Sequence, residues 1–149
     1  MKKTNNKGFS LVELIVVIAI MAVLIGVLAP TFTKYVERSR KSTDVQNVAA
    51  VVTAVQTYAI DPMVASTDQI VTGEKVVIKY ATAPDYSAGA NIQKALKAAG
   101  IENVQLKSDK WTATTAKQIT LTVTVGTDGA VTVTSDCNGN HEILTGKYD

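Results

Sequence analysis

The sequence predicts an α+β protein in which one long N-terminal α-helix packs on a small antiparallel β-sheet. Three observations predict this fold class: an apolar run near the N-terminus, a helical repeat of valines after it, and an alternating Val/Thr hairpin toward the C-terminus. With 149 residues, the chain has room for one small globular domain and one long extension.

The apolar run extends from Phe9 to Phe32 and contains a single ionisable side chain, Glu13. Its 24 residues are enough to cross a hydrocarbon core of ~30 Å, at about 1.5 Å per residue. Basic residues follow closely and mark the polar side of such a segment: Lys34, Arg38, Arg40 and Lys41. The sequence therefore predicts a transmembrane helix.

Two familiar kinds of apolar segment fit the hydrophobicity of this run but leave Glu13 unexplained. A cleavable secretory signal would have its small-residue site at Val27-Leu28-Ala29, directly before Pro30, and proline is a poor residue after a scissile bond. A plain membrane anchor is the second interpretation. A carboxylate at the centre of a membrane segment costs up to about 2.5–3.5 kcal/mol, so its presence indicates a function by default.

Residues 7–14 read K-G-F-S-L-V-E-L and resemble the class III signal of type IV pilins and pseudopilins. The resemblance covers about the first 60 residues and implies a type IV pilin-like fold. It implies that a prepilin peptidase cleaves the chain between Gly8 and Phe9 and methylates the new amine of Phe9. It also assigns Glu13 to subunit assembly and Pro30 to a helix kink, with Gly26 one turn earlier.

By this resemblance the chain is a structural subunit of a type IV pilus and not an enzyme, and no cofactor is implied. The implied partners are other copies of the chain in a helical filament, the prepilin peptidase and methyltransferase, and the inner-membrane assembly machinery. The precursor would cross the cytoplasmic membrane once, and the mature subunit would lie in a cell-surface filament for adhesion or twitching motility. A pseudopilin of a type II secretion or DNA-uptake system and a monomeric membrane-anchored binding domain are the alternatives.

The position of Glu13 indicates how it would act in such a filament. Cleavage would place a positive amine on Phe9, four residues before Glu13 and at the same apolar end of the helix. Because buried charges are tolerated only in pairs, a wrong stagger between subunits would leave the Phe9 amine and the Glu13 carboxylate unpaired. We therefore expect Glu13 to set the register of assembly; the alternative is a glutamate that only extends to the lipid headgroups.

Beyond the membrane segment, the helical pattern continues to Ala59, and Asp61-Pro62 ends it because proline disfavours helical angles in the preceding residue. Apolar residues at spacings of three and four form the predicted seam: Val45, Val48, Val52, Val55 and Ala59. Polar residues, Asp44 among them, are expected on the opposite side. The predicted division is a leader peptide (1–8), a membrane and filament-core helix (9–32), its amphipathic continuation (33–61) and a globular head (62–149).

The predicted head begins with a polar loop (63–73) and a strand at residues 74–81. A short helix over residues 92–99 follows, with Asn91 as its N-cap and Gly100 at its end. Trp111 is expected to be a core anchor that starts or flanks the next strand.

A hairpin is predicted near the C-terminus, with residues 126–129 as its turn. Its aliphatic face is expected to pack on the helix: Ile119, Leu121, Val123, Val125, Val131 and Val133. The opposite face carries threonines: Thr120, Thr122, Thr124, Thr132 and Thr134. This threonine face is interpreted as solvated strand surface, with a contact surface for sugars or partners as the alternative.

Charge argues against nucleic-acid binding by the isolated subunit. The formal charge of +2 becomes −1 without Lys2, Lys3 and Lys7, because 12 basic residues then face 13 acidic ones. A nearly neutral body gives no electrostatic footprint for a polyanion.

The residues that could carry metal or redox chemistry are few. Cys137 is the single cysteine, which excludes an intramolecular disulfide and favours a Gram-positive or anaerobic source. It is expected to be a small buried or turn residue, with an intermolecular bridge or a reactive thiol as the alternative. One Cys and one His are too few for a structural zinc site. Oxygen-bearing side chains alternate in one candidate calcium loop: Asp136, Asn138, Asn140 and Glu142. This segment lacks the spacing of an EF-hand, so a turn without metal is expected.

Overall fold

A computed structural model describes residues 8–111 and 117–136 of the chain. The elements along these residues are α1 (Leu11–Ala59), a 3-10 turn (Ser66–Asp68), β1 (Lys75–Lys79), α2 (Ala90–Ala98), β2 (Gln118–Val125) and β3 (Val131–Asp136). The chain divides into two compact units, Met1–Arg38 and Ser39–Asp149, and α1 contributes residues to both.

The first unit is the N-terminal part of α1, and the long apolar helix predicted from the sequence is confirmed. α1 begins at Leu11, and each residue from position 8 to position 35 is exposed. The helix continues through Pro30 and ends at Ala59, two residues before Asp61-Pro62, as predicted.

In the second unit, the three strands form one antiparallel sheet in the order β1-β2-β3. Val76 of β1 lies opposite Leu121 of the central strand, and Val123 lies opposite Val133 of β3. Gly126 donates its N–H to the carbonyl of Ala130 at 2.8 Å, which closes the turn between β2 and β3. The predicted hairpin and the small antiparallel sheet are therefore confirmed.

One hydrophobic core holds the second unit together. It contains three valines of α1, residues of β1, β2 and α2, and three from the connecting segments: Val48, Val51, Val55, Val76, Ile78, Ile119, Leu121, Val123, Ile92, Ala95, Leu96, Ile70, Leu106 and Trp111. Trp111 is only 1 % exposed, so its expected role as a core anchor is confirmed. It lies outside any strand, and the next described strand begins at Gln118.

The apolar seam of α1 differs from the predicted one by one valine and one aspartate. Val51 is fully buried, whereas Val52 is only partly buried against the core. Asp44, which was expected on the polar side, is 0 % exposed. The prediction for Asp44 was wrong because its carboxylate has partners far along the chain, which offset the cost of burying it.

Those partners belong to residues 107–111. Asp44 Oδ1 accepts the N–H of Lys107 at 2.6 Å, and Asp44 Oδ2 accepts the N–H of Ser108 at 2.9 Å. The indole N–H of Trp111 donates to Asp44 Oδ2 at 2.7 Å. The Lys41 ammonium lies 5.4 Å from the centre of the Trp111 ring, within the range of a cation–π contact. A single carboxylate thus binds this loop to α1.

The short helix α2 begins two residues earlier than predicted, and Asn91 is not its N-cap. Gly89 occupies that position, where an added Cβ would collide with the carbonyl of Lys75. The carboxylate of Glu74, the residue directly before β1, accepts the N–H groups of Asn91 and Ile92 at 3.2 and 3.1 Å. Glu74 therefore provides, from a distant position in the same chain, the hydrogen-bond acceptor that the N-terminus of α2 needs. Gly100 follows α2 at φ +72°, as a C-terminal glycine should.

The threonine face of the sheet lies opposite the core. Thr124, Thr132 and Thr134 are exposed, whereas Thr120 and Thr122 are half-buried. The hydroxyl groups of Thr132 and Thr134 donate across the hairpin to the carbonyls of Thr124 and Thr122, each at 3.3 Å. These bonds tie β3 to the central strand.

Asp85 pairs with Val77 at the edge of β1, and its carboxylate should contribute stability that depends on pH. Its carboxylate accepts the Ser87 N–H at 3.0 Å and the Lys79 ammonium at 3.1 Å. The hydrogen bonds from Ser87, followed by Lys79, lower the pKa of the Asp85 carboxyl from 3.8 to about 2. Because the folded pKa is the lower one, this stabilisation is present above about pH 4 and lost as the pH falls toward 2. An NMR titration of the Asp85 carboxyl should show the lowered midpoint, and a midpoint near 4 would contradict these contacts.

The second half of α1 should be indispensable to the head. A chain beginning at Thr33 should be a soluble folded monomer, because it keeps the buried valines of α1 and omits most of the exposed apolar helix. A chain beginning after Pro62 should aggregate, because the aliphatic face of the sheet then becomes a large exposed patch. Size-exclusion chromatography and thermal unfolding test this, with a chain beginning at Ser39 as the control that should match the first. Cooperative unfolding of the chain that begins after Pro62 would contradict the packing of the sheet on α1.

Candidate assembly site at the start of the long helix

Gly8 and Phe9 are the described residues before Ser10, the residue that directly precedes α1, and both are exposed. Phe9 is 88 % exposed. A Cβ added to Gly8 would meet no atom within 4 Å, and Gly8 is not among the glycines with positive φ. Over residues 8–111 and 117–136, neither packing nor backbone conformation requires a glycine at this position. The absence of a side chain at Gly8 therefore has no structural reason within the described part of the chain.

Glu13 is the acidic residue in the first turn of α1. Its Oε2 atom accepts the backbone N–H of Ser10 at 3.0 Å, and the N–H of Leu14 donates to the carbonyl of Ser10 at 3.2 Å. Ser10 and Glu13 thus form the S-x-x-E arrangement in which a side chain at the third helical position bonds back to the cap residue. The capping role of Ser10 was not predicted, although the S-x-x-E spacing before an apolar run is a sequence signal for it.

An uncovered apolar surface extends from this first turn along the N-terminal part of α1. The exposed side chains include Leu11, Val12, Leu14, Ile15, Val16, Val17, Ile18 and Ile20, with Met21, Val23, Leu24, Ile25, Val27, Leu28 and Phe32 beyond them. They lie on all sides of the helix and not on one stripe. A helix that is apolar all round requires burial in a membrane or among other helices. Among the described residues, α1 is the one helix that is long and apolar enough to cross a membrane.

Pro30 lies inside α1, and two threonine hydroxyls bond to carbonyls near it. Thr31 donates to the carbonyl of Leu28 at 2.8 Å, and Thr33 donates to the carbonyl of Pro30 at 3.0 Å. Proline has no N–H to give to the carbonyl of Gly26, four residues earlier, so one bond of the helical ladder is missing there. The kink at Pro30 stays a prediction.

The candidate calcium loop lies almost entirely outside the described residues, so it stays a prediction. Asp136 ends β3 and is exposed, whereas Cys137 and the other members of the candidate calcium loop, Asn138, Asn140 and Glu142, lie outside the described residues. Over residues 8–111 and 117–136, no group of three His, Cys, Asp or Glu side chains could hold a metal ion. The site that the structure supports is therefore the exposed start of α1.

Comparison with known proteins identifies the class of this segment. The model of the prokaryotic N-terminal methylation motif matches residues 3–29. The chain is 35 % identical over 65 residues to the prepilin peptidase-dependent protein A of Clostridium perfringens (strain 13 / Type A), which covers 44 % of this chain and 46 % of that protein. It is 38 % identical over 54 residues to the type IV major pilin protein PilA of Myxococcus xanthus (strain DK1622), covering 36 % and 24 %.

A third relative is the type IV major fimbrial protein FimA of Dichelobacter nodosus, 34 % identical over 59 residues, or 40 % of this chain and 38 % of that protein. The matches thus span less than half the length of these relatives. No solved structure matches the chain.

The chain therefore carries the N-terminal methylation motif of type IV pilins. The long apolar helix and the three-stranded antiparallel sheet that packs on its second half match the type IV pilin fold. The resemblance inferred from residues 7–14 is confirmed, since the chain carries an N-terminal methylation motif and is similar to type IV pilins over 54–59 residues.

Proposed function

We propose that the chain is a structural subunit of a type IV pilus that is cleaved between Gly8 and Phe9, methylated at Phe9 and polymerised through the first part of α1. The open surroundings of Gly8 are the observation that carries the processing step. Because packing among the described residues does not need a glycine there, the requirement would come from a protease whose cleft admits no side chain at this position. The match to the methylation motif, which includes Gly8 and Phe9, supports the same reaction.

The exposed apolar surface of α1 supports the polymerisation step. In the precursor this surface would lie in the cytoplasmic membrane, and in the mature filament it would pack against the same segment of other subunits. Both environments remove the apolar side chains from water, so the subunit can leave the membrane without exposing them. The proposed partners are further copies of the chain, the prepilin peptidase and methyltransferase, and the membrane assembly machinery.

In the filament, the Phe9 amine of an incoming subunit would pair with the Glu13 carboxylate of a neighbour. Glu13 lies in the first turn of α1, at the same end of the helix as Phe9, so both groups are available at one level of a helical bundle. A pairing of this kind favours one axial stagger, since any other stagger leaves two charges unpaired in an apolar core. Glu13 would therefore determine the register of the subunits.

Replacing Gly8 tests the processing step. Gly8→Leu should leave full-length precursor in the membrane and abolish filaments, whereas wild-type subunits should begin at a methylated Phe9. Gly26→Leu is the matched control, because Gly26 also has no atom within 4 Å of an added Cβ but lies far from the cleavage site. Mass spectrometry of the mature N-terminus is the measurement. A mature chain that begins at Pro30 or beyond would identify a conventional signal peptide instead.

A pseudopilin of a secretion or DNA-uptake system is the second candidate, because the same motif and helix would serve a short filament. Electron microscopy of sheared cell-surface material separates the two functions. Long fibres that contain this chain support the pilin, and processed chain that is found only in the membrane fraction supports the pseudopilin.

A further inference from the structure

The hydrogen bond between Glu13 and Ser10 lies within one chain, so it exists without any neighbouring subunit. Glu13 Oε2 is 3.0 Å from the Ser10 nitrogen, and Ser10 is the residue directly before α1. This bond distinguishes Glu13 from an acid placed at random in an apolar helix, which would have no donor near it. The carboxylate of an isolated precursor therefore already has a partner.

Both members of this bond need a partner in an apolar environment. The first four N–H groups of a helix have no acceptor within the helix, and a carboxylate without donors is costly to remove from water. The bond satisfies one N–H and stabilises the carboxylate in one step. The negative charge at this end is also favoured by the helix dipole.

We propose that Glu13 caps its own helix through the Ser10 N–H before assembly, and that this bond both stabilises the carboxylate in the membrane segment and orients it for a neighbour's amine. The orienting part rests on the proposed pilin function, whereas the stabilising part does not. A carboxylate accepts through two oxygens, so Glu13 keeps the Ser10 N–H on Oε2 while its second oxygen accepts the Phe9 amine of a neighbour. The backbone N–H of Ser10 is thus a positioning group for assembly.

Two variants separate the cap from the charge. Glu13→Gln removes the charge and keeps the cap, because glutamine at the third helical position bonds back to the cap residue as glutamate does. The exchange Glu13→Leu/Leu14→Glu keeps the composition and the charge. It moves the carboxylate one residue along the helix, about 1.5 Å further from the helix start, where it no longer fits the S-x-x-E spacing. Both are made in the full-length precursor.

The first readout is amide hydrogen exchange at Ser10, measured by NMR on the labelled precursor in lipid bicelles. We expect the Ser10 amide hydrogen to exchange with solvent at least tenfold more slowly in the wild type and in Glu13→Gln than in the exchanged variant, Glu13→Leu/Leu14→Glu. The second readout is the fraction of precursor that resists carbonate extraction from membranes lacking the prepilin peptidase. Wild type and Glu13→Gln should integrate equally well, and the exchanged variant at least threefold less.

Two results would overturn the proposal: a Ser10 amide that exchanges as fast in the wild type as in the exchanged variant, or full integration of the exchanged variant. Failure of the pilin function looks different, because the wild type would then integrate with a protected Ser10 amide but form no filament. If the cap orients the carboxylate as proposed, Glu13→Gln should integrate normally and still fail to assemble, since only its charge is lost.

Discussion

Glu13→Ala subunits should be inserted and cleaved normally but should fail to form filaments, or form them far more slowly. Insertion should proceed, because the substitution removes the carboxylate together with its need for a donor and leaves only the Ser10 N–H, at the end of the helix, without its acceptor. Cleavage should proceed because it is proposed to precede contact with a neighbour. Assembly should fail because the incoming Phe9 amine would meet no counter-charge in an apolar core. Breaking a buried ion pair costs about 3–5 kcal/mol, and this cost recurs with each subunit added. The measurement is the mass of sheared fibres per cell, with processing followed by mass spectrometry.

Glu13→Gln refines this experiment, since it keeps the shape and hydrogen bonding of the side chain and removes only its charge; it should also impair assembly. The matched control is Thr33→Ala, which removes a polar group from an exposed position of α1 farther from Phe9. Filaments of wild-type number and length from Glu13→Ala would show that the charge pair does not drive assembly in this protein. Loss of cleavage in the same variant would place the role of Glu13 in processing instead.

Asp44→Ala should destabilise the head by about 3–5 kcal/mol. The substitution removes the shared acceptor of the Lys107 and Ser108 N–H groups and of the Trp111 indole. Each buried donor that loses its acceptor costs about 1–3 kcal/mol, and the partly buried Lys107 N–H regains some of that from water. Chemical denaturation of the soluble chain beginning at Thr33 measures the change, and the loop at residues 107–111 should lose its protection from hydrogen exchange first.

Two controls accompany this substitution. Asp61→Ala removes an exposed carboxylate that accepts one N–H, from Met63 at 2.9 Å, and should cost less than about 1 kcal/mol. Asp44→Asn retains one oxygen acceptor and should fall between the wild type and Asp44→Ala. Equal stability of Asp44→Ala and the wild type would mean that residues 107–111 are held by the Trp111 side chain alone.

The start of α1 was predictable because its signals are local. The N-terminal methylation motif, the apolar run and the helix end at Asp61-Pro62 each depend on residues close together in the sequence. The hairpin was predictable for the same reason, since its turn at residues 126–129 sets the register of two adjacent strands. The capping bond from Ser10 to Glu13 is also local, and its spacing could have been read in advance.

The helical seam was predictable only in part, because two sets of valines satisfy the same period. Val48, Val51 and Val55 follow one another at spacings of three and four, and Val48, Val52 and Val55 do so at four and three. Adjacent positions differ by about 100° around the helix, so only packing in the folded core selects Val51. Periodicity therefore fixes which side of α1 is apolar but not the residue at its centre.

The burial of two carboxylates depends on the tertiary structure alone. Asp44 is one turn before Val48 and thus on the seam, but its charge suggested the opposite side. The donors that allow its burial lie 63 to 67 residues away along the chain. Glu74 caps a helix that begins 16 residues later, a position for which the sequence suggested Asn91. Apolar burial follows from the pattern of a segment itself, whereas a charge can be buried only where the folded chain brings its donors.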